Sequence, residues 1–342
     1  MEDMSESYAR KAQRFSRQCF LVDTHCDTLG EIIKGKRTLG EESCLGHVDL
    51  PRLEKAGIDL QFFAAFVEPH YKPWGSLFRL MQLIDVFHRE LEKNANKMGL
   101  ILSAEDIHDL KDKNKIGALL AVEGGEALGG ELGVLRLLFK LGVRSLGLTW
   151  NQRNEIADGI GEGGSAGGLS SFGRQVVKEM NRLGMLVDVS HLAIRGFWDV
   201  LEVSQDPVIA SHSNCYSLCP HPRNLLDEQI KGLAEHGGVI SITFAPQFLD
   251  QNEATVEKVL EHIEYACTLV GAEHVGIGSD FDGIDNTPKG LEDVTKLSLV
   301  IEGLLRRGFH WSEVQNIMGG NVLRILRQVL PKRNKQKDQG IT

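Results

Sequence analysis

Histidines and carboxylates stand at the ends of several apolar runs in this sequence. The run LVDTHCD places His25 and Asp27 two residues apart, so both side chains point to the same side of an extended backbone. Further such residues are Glu123 after LLAV, His191 after LVDVS, His212 after VIAS and Asp280 after GIGS. Imidazole nitrogens and carboxylate oxygens suit zinc, with Mn or Co as possible substitutes. Because six donors exceed what one tetrahedral zinc requires, they favour two metal ions bridged by a carboxylate.

Each of these residues also has an ordinary structural explanation. Asp27 could cap a turn beside a hydrogen-bonded His25. His191 or His212 could be a hydrogen-bonded core histidine, and Glu123 could cap the turn that follows it. Coincidence is the weaker explanation for the whole set, because burying a lone carboxylate is costly unless it is paired or bound to a metal.

The scaffold predicted for these residues is an α/β fold. Short apolar runs alternate with helix-forming stretches, a pattern typical of parallel strands that are buried on both faces. The predicted strands are Cys19–Asp23, Ile58–Val67, Ile116–Val122, Val143–Thr149, Met185–Ser190, Pro207–Ser211, Gly238–Phe244 and His274–Ser279. The predicted helices are Leu50–Ala56, Gly75–Lys97, Leu132–Leu141, Ser170–Leu183, Ile194–Val203, Asp227–His236, Thr255–Val270 and Lys289–Arg307. Eight units favour a (β/α)8 TIM barrel over an open sheet, and its strand ends would share one mouth.

Length and composition limit the classes of function. The 342 residues carry a net charge of -9, with 42% hydrophobic and 25% charged residues, as in an ordinary globular protein. One domain over 1–342 is expected, with a polar N-terminal helix (about 1–18) and a frayed tail (about 331–342). The acidic balance argues against nucleic acid or an anionic membrane and favours a small-molecule partner.

The expected location is cytoplasmic, because the sequence has neither a membrane-spanning apolar run nor a signal peptide. Six dispersed cysteines are then expected to be free thiols. The glycine-rich stretch 159–168 is interpreted as a flexible loop rather than a phosphate cradle, because residues 151–158 separate it from the preceding strand.

The ordered combination of these motifs resembles the renal (membrane) dipeptidase family of zinc peptidases. The similar motifs are HxD, AVEGG, DVSH, SHS followed by PRN, and GSDFDG, from about Leu21 to the GGNVLRIL segment at Gly319–Leu326. The resemblance implies a metal-dependent hydrolase barrel with two zinc ions per chain. Glu123 would bridge them, with His25 and Asp27 on one ion and His191 and His212 on the other. No lysine ends the third or fourth predicted strand, which fits a glutamate-bridged rather than a carboxylated-lysine site.

The same resemblance implies roles for residues around the metals. Asp280 would be the acid/base, although it could also be an extra ligand or a hydrogen-bond anchor, with Asp282 capping the loop. Arg223 would bind the free carboxylate of the substrate, as a planar guanidinium can, unless it is only a solvated charge. Asn224 is assigned to substrate binding through the loop that it braces. A homodimer is possible by the same resemblance.

Two positions depart from the family pattern. Trp150 in LTWNQRN stands where many members have an oxyanion-stabilising histidine, and Phe244 stands where the family has a tyrosine. Trp150 could be a wall of the substrate pocket, in which case Asn151, Asn154 or the metals could stabilise the oxyanion.

The sequence therefore predicts a zinc-dependent dipeptidase. Its substrates would be small dipeptides, including those with a C-terminal D-residue, cleaved by a metal-bridging hydroxide. One alternative is another barrel amidohydrolase, such as a lactonase, a cyclic amidase or a phosphotriesterase-like enzyme. The other is a non-catalytic metal-binding barrel.

Overall fold

A parallel sheet curled into a barrel forms the centre of the computed structural model, which describes residues 7–333. The strands are β1 Val22–Asp23, β2 Leu60–Phe66, β3 Met98–Leu100, β4 Ile116–Glu123, β5 Val143–Gly147, β6 Leu186–Asp188, β7 Ile209–Ser213, β8 Val239–Ile242 and β9 Val275–Ile277. Their order is β1-β2-β4-β5-β6-β7-β8-β9, and β3 pairs with β4 outside this path. The predicted barrel of eight parallel strands is thus confirmed.

Helices follow most strands and cover the outside of the barrel. They are α1 Tyr8–Gln18, α2 Thr28–Ile32, α3 Leu50–Ala56, α4 Ser76–Lys93, α5 Ala104–Asp112, α6 Leu132–Lys140, α7 Ser171–Leu183, α8 Ile194–Val203, α9 Asp227–Glu235, α10 Pro246–Leu249, α11 Val256–Val270, α12 Leu297–Arg306, α13 Trp311–Gln315 and α14 Asn321–Val329. Short 3₁₀ segments span Pro69–Tyr71, Gly125–Leu128, Ile160–Ser165, Ala272–His274 and Val294–Lys296, and a π-helical turn spans Asn316–Gly320. No helix in the described range 7–333 is long and apolar enough to cross a bilayer.

Strand residues alternate between two hydrophobic clusters. In β4, Leu119 and Ala121 belong to the inner cluster, whereas Leu120 and Val122 pack outward against the helices. The inner cluster also includes Leu326 of α14, so this last helix packs against the barrel interior. Because successive strand side chains point to opposite faces, Glu123 continues the inward-facing series of β4 at its C-terminal end.

The first and last strands complete the barrel through a few hydrogen bonds. Thr24 N–H donates to the Ile277 carbonyl at 3.0 Å, and Asp280 N–H donates to the His25 carbonyl at 3.2 Å. The barrel is therefore nearly closed, and the segments that follow β1 and β9 lie side by side.

Several predictions from the sequence concern the chain termini and the cysteines rather than the barrel. The predicted N-terminal helix corresponds to α1, and residues 1–6 lie outside the described part of the chain. All six cysteines are free thiols, as expected. Of the predicted tail, residues 331–333 are described, and Arg333 pairs with Asp109 at 2.7 Å and with Asp106. The rest of the predicted tail lies outside the described residues.

Candidate active site and metal centre

The six predicted metal-site and catalytic residues converge at the C-terminal mouth of the barrel. His25 and Asp27 follow β1, Glu123 ends β4, and His212 lies in β7. His191 and Asp280 come three residues after the ends of β6 and β9. Segments that are far apart in sequence thus meet at one end of the fold, which is where barrel enzymes carry their active sites.

One group of ligand atoms gathers around His25. Its Nε2 lies 3.3 Å from Asp27 Oδ2, 3.6 Å from Glu123 Oε2 and 3.9 Å from Asp280 Oδ1. The side chains of these four residues are at most 14% exposed, so water screens their charges poorly.

A second group gathers around the other oxygen of Glu123. Oε1 lies 2.9 Å from His191 Nε2 and 3.6 Å from His212 Nε2, and the two Nε2 atoms are 2.8 Å apart. Glu123 therefore directs one carboxylate oxygen to each group. This is the arrangement that a bridging ligand between two cations requires.

The hydrogen bonds behind the two histidines fix which nitrogens face the site. His191 Nδ1 donates to Asn151 Oδ1 at 2.8 Å. The Ser211 hydroxyl donates to Asp188 Oδ2 at 2.5 Å, so its oxygen accepts from His212 Nδ1, 2.8 Å away. With both protons on Nδ1, the two Nε2 atoms present lone pairs to each other at 2.8 Å. Two facing lone pairs repel unless a cation lies between them, so this donor set fits a metal ion.

The pKa shifts in the site have the same physical origin. Burial lowers the pKa of His191 and of His212 well below the ordinary value, which keeps both rings neutral. Burial, with Asp27 nearby, raises the pKa of Glu123 well above its usual range. Burial also raises the pKa of Asp280 to about 7, against the opposing effect of His25.

His25 behaves differently from the other two histidines. Burial opposes its charge, but Glu123 and Asp27 outweigh burial and raise its pKa to about 10. Asp27 Oδ1 is buried without a hydrogen-bond partner among the described residues. The group thus holds more negative charge than the protein itself compensates, as expected of a cation site.

Two of the site residues have left-handed backbone conformations. His191 has φ 65° and Asp280 has φ 66°. Such conformations cost about 1–3 kcal/mol each for residues other than glycine and persist where the surrounding structure imposes them. Here they turn two side chains inward just after the ends of their strands.

Five of the six site residues line a cavity of about 610 Å³, namely Asp27, Glu123, His191, His212 and Asp280. Trp150 forms part of its wall, with its ring centroid 5.2 Å from that of Phe66 and 5.9 Å from that of His191. Phe244 is fully buried and packs against Phe281 at 5.5 Å. Trp150 therefore borders the substrate space, whereas Phe244 belongs to the packing behind it.

Arg223 lies beneath the metal ligands rather than on the cavity wall. It is 5% exposed, and its Nη2 donates to the His212 carbonyl at 3.0 Å. Its Nε has no partner among the described residues, and burial lowers the pKa of the guanidinium to about 10. Arg223 is therefore charged at neutral pH and has a donor to spare next to Phe248, which does line the cavity.

Three neighbouring polar residues have bracing contacts. Asn224 Nδ2 donates to the carbonyls of Cys219 and Phe248, both at 2.8 Å, and Asn224 lines a different cavity. Asn154 Nδ2 donates to the Leu148 carbonyl at 2.9 Å. Asp282 accepts from Thr28 Oγ1 at 2.7 Å and forms an ion pair with Arg37. These contacts position the loops around the site.

The residues behind the ligands have supporting roles that the sequence motifs do not assign. Asn151 was a candidate only for oxyanion stabilisation, and the structure adds its bond to His191. Ser211 and Asp188 lie inside predicted strands. Asp188 opens the DVSH motif and Ser211 opens the SHS motif, but neither motif indicates that the two side chains bond to each other.

Fold and site together define a barrel hydrolase of the metal-dependent type. Residues 9–340 match the model of the membrane dipeptidase family, peptidase family M19. Dipeptidase verJ of Clonostachys rogersoniana is 39% identical over 307 residues, which cover 86% of this chain and 79% of that protein. Dipeptidase aclJ of Aspergillus oryzae is 39% identical over 296 residues, which cover 83% of this chain and 70% of that protein.

Solved structures give the same result. The crystal structure of dipeptidase AC, a metallopeptidase of family M19, has a TM-score of 0.86 at 28% identity and covers 91% of this chain and 99% of its own. A metallopeptidase from Rhodobacter sphaeroides, liganded with a phosphinate mimic of the dipeptide L-Ala-D-Ala, has a TM-score of 0.85 at 27% identity with the same coverage. The chain belongs to peptidase family M19, the membrane dipeptidase family, and is a metallo-dipeptidase.

Proposed function

We propose that this chain hydrolyses small dipeptides with two divalent metal ions, zinc by preference and Mn or Co as substitutes. The observation that carries the proposal is the division of the Glu123 carboxylate between two groups of ligands. His25 and Asp27 would hold one ion with Glu123, and His191 and His212 would hold the other. Bound together, two such ions lower the pKa of a water molecule and polarise a carbonyl oxygen.

Asp280 is the proposed acid and base of the reaction. It lies on the His25 side of the site, with its Oδ1 3.9 Å from His25 Nε2, where a carboxylate can accept and donate a proton beside the ligands. Asp280 would take a proton from the attacking water and deliver it to the leaving amine as the peptide bond breaks. The Thr243 hydroxyl, 3.5 Å from Asp280 Oδ2, helps to hold the carboxylate in place.

Arg223 is proposed to recognise the free carboxylate of the substrate. The charge is buried, the Nε has no hydrogen-bond partner among the described residues, and the guanidinium lies 5.4 Å from the ring of Phe248, which lines the cavity. A buried guanidinium gives a strong, directional bond to a carboxylate. Because a dipeptide carries its only α-carboxylate one residue from the scissile bond, this contact would favour dipeptides over longer chains.

The cavity supports substrates of this size. A volume of about 610 Å³ is in the range of small-molecule sites, and Trp150 offers an apolar wall beside the metal ligands. Acceptance of a C-terminal D-residue is supported by the related R. sphaeroides structure, whose ligand mimics L-Ala-D-Ala.

A panel of substrates tests the proposal. The zinc-loaded protein is assayed with L-Ala-L-Ala, L-Ala-D-Ala, L-Ala-L-Ala amide and a simple lactone, and its metal content is measured by elemental analysis. We expect turnover of the free dipeptides, weak turnover of the amide, and about two metal ions per chain. Turnover of the lactone alone would favour the other barrel amidohydrolases. Inactivity towards all four with metal bound would favour a non-catalytic barrel.

A further inference from the structure

A second cavity lies outside the metal centre, between the glycine-rich stretch and the start of α8. Its volume is about 670 Å³, and it shares no lining residue with the metal cavity. Its apolar walls come from Ile160, Ile194, Trp198, Tyr216, Pro222 and Leu226, and Gly163, Gly164 and Ala166 form part of its rim. We call this cavity the α8 pocket. The glycine-rich stretch thus borders a cavity that the peptidase reaction does not use.

The apolar walls of the α8 pocket are unusually exposed. Ile194 is 44% exposed, Trp198 41% and Tyr216 38%. Aromatic and branched side chains that line a concave surface, rather than standing singly on the outside, are typical of ligand sites.

Positive charge at one side of the pocket is left without a partner. No side chain caps α8 at Ala193, so the N–H groups of its first turn remain available at the positive end of the helix. Arg195 is exposed in the pocket lining, and no ion pair holds it within the described residues. The neighbouring carboxylate of Asp199 is already used by Arg174 at 3.0 Å and by Leu169 N–H at 2.8 Å.

We propose that the α8 pocket binds a small organic carboxylate with an apolar ring. The carboxylate would contact Arg195 and the first turn of α8, and the ring would lie against Trp198 and Tyr216. This site is separate from the dipeptide site and does not depend on the metals.

Isothermal titration calorimetry with indole-3-propionate tests the proposal on the metal-loaded full chain. This probe has a carboxylate, an aromatic ring and one N–H. We expect one probe per chain, binding about tenfold weaker to Arg195→Gln, because a charge-assisted hydrogen bond is lost. Ala166→Phe should abolish binding by filling the pocket. Arg306→Gln is the matched control, because Arg306 is an exposed arginine on α12 paired with Glu302.

Two further measurements keep the result interpretable. Thermal melting shows whether each variant is folded, and dipeptide turnover of Arg195→Gln should equal that of the unchanged protein. Indole-3-propionamide should bind the unchanged protein as weakly as the acid binds Arg195→Gln. The proposal is overturned if the probe gives no heat, if both pocket variants bind it normally, or if a phosphinate dipeptide mimic displaces it.

Discussion

At the scale of single residues, Glu123 has the largest influence on the site. It ends an inward-facing series in β4 and directs its two oxygens to different histidines. Burial makes its charge costly unless cations or protons compensate it. One position in the sequence thereby determines where two ligand groups meet.

Replacing Asp280 with asparagine should separate chemistry from metal binding. Asparagine keeps the shape and the contact with Thr243 but cannot accept the proton. We expect kcat to fall by about 10²–10⁴-fold with the metal content unchanged. Asp285→Asn is the control, because Asp285 is an exposed carboxylate that lines the same cavity. Steady-state kinetics measures kcat, and elemental analysis measures the metal content. Full activity of Asp280→Asn would contradict the role of Asp280 as acid and base.

Ser211→Ala should weaken metal binding without touching a ligand. The Ser211 hydroxyl accepts from His212 Nδ1 and donates to Asp188. Without this hydroxyl, the imidazole ring of His212 is no longer held in one orientation. We expect the affinity for the metal to fall roughly 10–100-fold in a chelator competition, with rescue by Ser211→Thr.

Ser213 provides the matched control in the same strand. Its Oγ is buried with no hydrogen-bond partner among the described residues, so Ser213→Ala should bind metal normally. Equal affinities for the two alanine variants would show that Ser211 does not position His212.

The ligands could be predicted from the sequence, but their supporting residues could not. His25, Glu123 and His212 stand out because a polar residue after an apolar run has few structural explanations. Asn151 and Asp188 act across 40 and 23 residues of sequence, through contacts that only the closed barrel creates. The DVSH motif contains Asp188, but local patterns do not indicate which side chain it contacts.

At the scale of elements, two buried aspartate–serine pairs join neighbouring strands below the ligands. Asp23, the last residue of β1, accepts from Ser279 N–H at 2.8 Å and from its hydroxyl at 2.7 Å. Asp188 accepts from Ser211 in the same way, at 3.0 and 2.5 Å. Because β1 has two residues and β6 and β9 have three each, their backbone ladders are short. The side-chain bonds add to these ladders where the ligands must be held.

Two of the elements that sequence patterns missed or misplaced are set by their neighbours. Strand β3 has three residues and pairs with Ile116–Ala118, the part of β4 that precedes its pairing with β5. The predicted helix Lys289–Arg307 begins only at Leu297, after a loop in which Lys289 N–H donates to the Ala254 carbonyl. Both outcomes depend on tertiary contacts, which override local propensity.

His262 in α11 should make stability depend on pH. It is 1% exposed, its Nδ1 accepts from Cys215 N–H at 3.1 Å, and its Nε2 donates to the Leu249 carbonyl at 3.0 Å. Burial lowers its pKa below the ordinary 6.5. The unfolded chain therefore binds a proton at higher pH than the folded one, so stability falls on acidification below about pH 6.5, by up to about 1.4 kcal/mol per pH unit.

Urea unfolding at pH 7.5 and 5.5 measures this effect. His262→Gln can keep both hydrogen bonds but does not titrate, so it should lose less stability on acidification than the unchanged protein. His70→Gln is the control, because His70 is exposed, and it should behave like the unchanged protein. An identical pH dependence in His262→Gln would exclude His262 as the source.

At the scale of the whole molecule, the barrel explains why the sequence was sufficient for the fold and for most of the site. Eight apolar runs separated by helices leave few alternatives to a closed parallel sheet. Closure then places every C-terminal strand end at one mouth, so residues from His25 to Asp280 must meet there. What closure does not determine is the distance between side chains, which follows from register and from the turns after each strand.

Removal of the metals should therefore affect the entire fold and not the reaction alone. Asp27, Glu123 and Asp280 share a buried site with His25, and the Nε2 atoms of the other two histidines face each other. Ions that bind only the folded chain at about 100 times their Kd stabilise it by about 2.7 kcal/mol, which for 342 residues corresponds to a fall in Tm of about 4 °C after chelation. Calorimetry with and without chelator measures this shift, and added zinc should reverse it. Glu123→Gln should show a much smaller shift, since the bridging charge is lost; an equal shift in that variant would place the stabilising ions elsewhere.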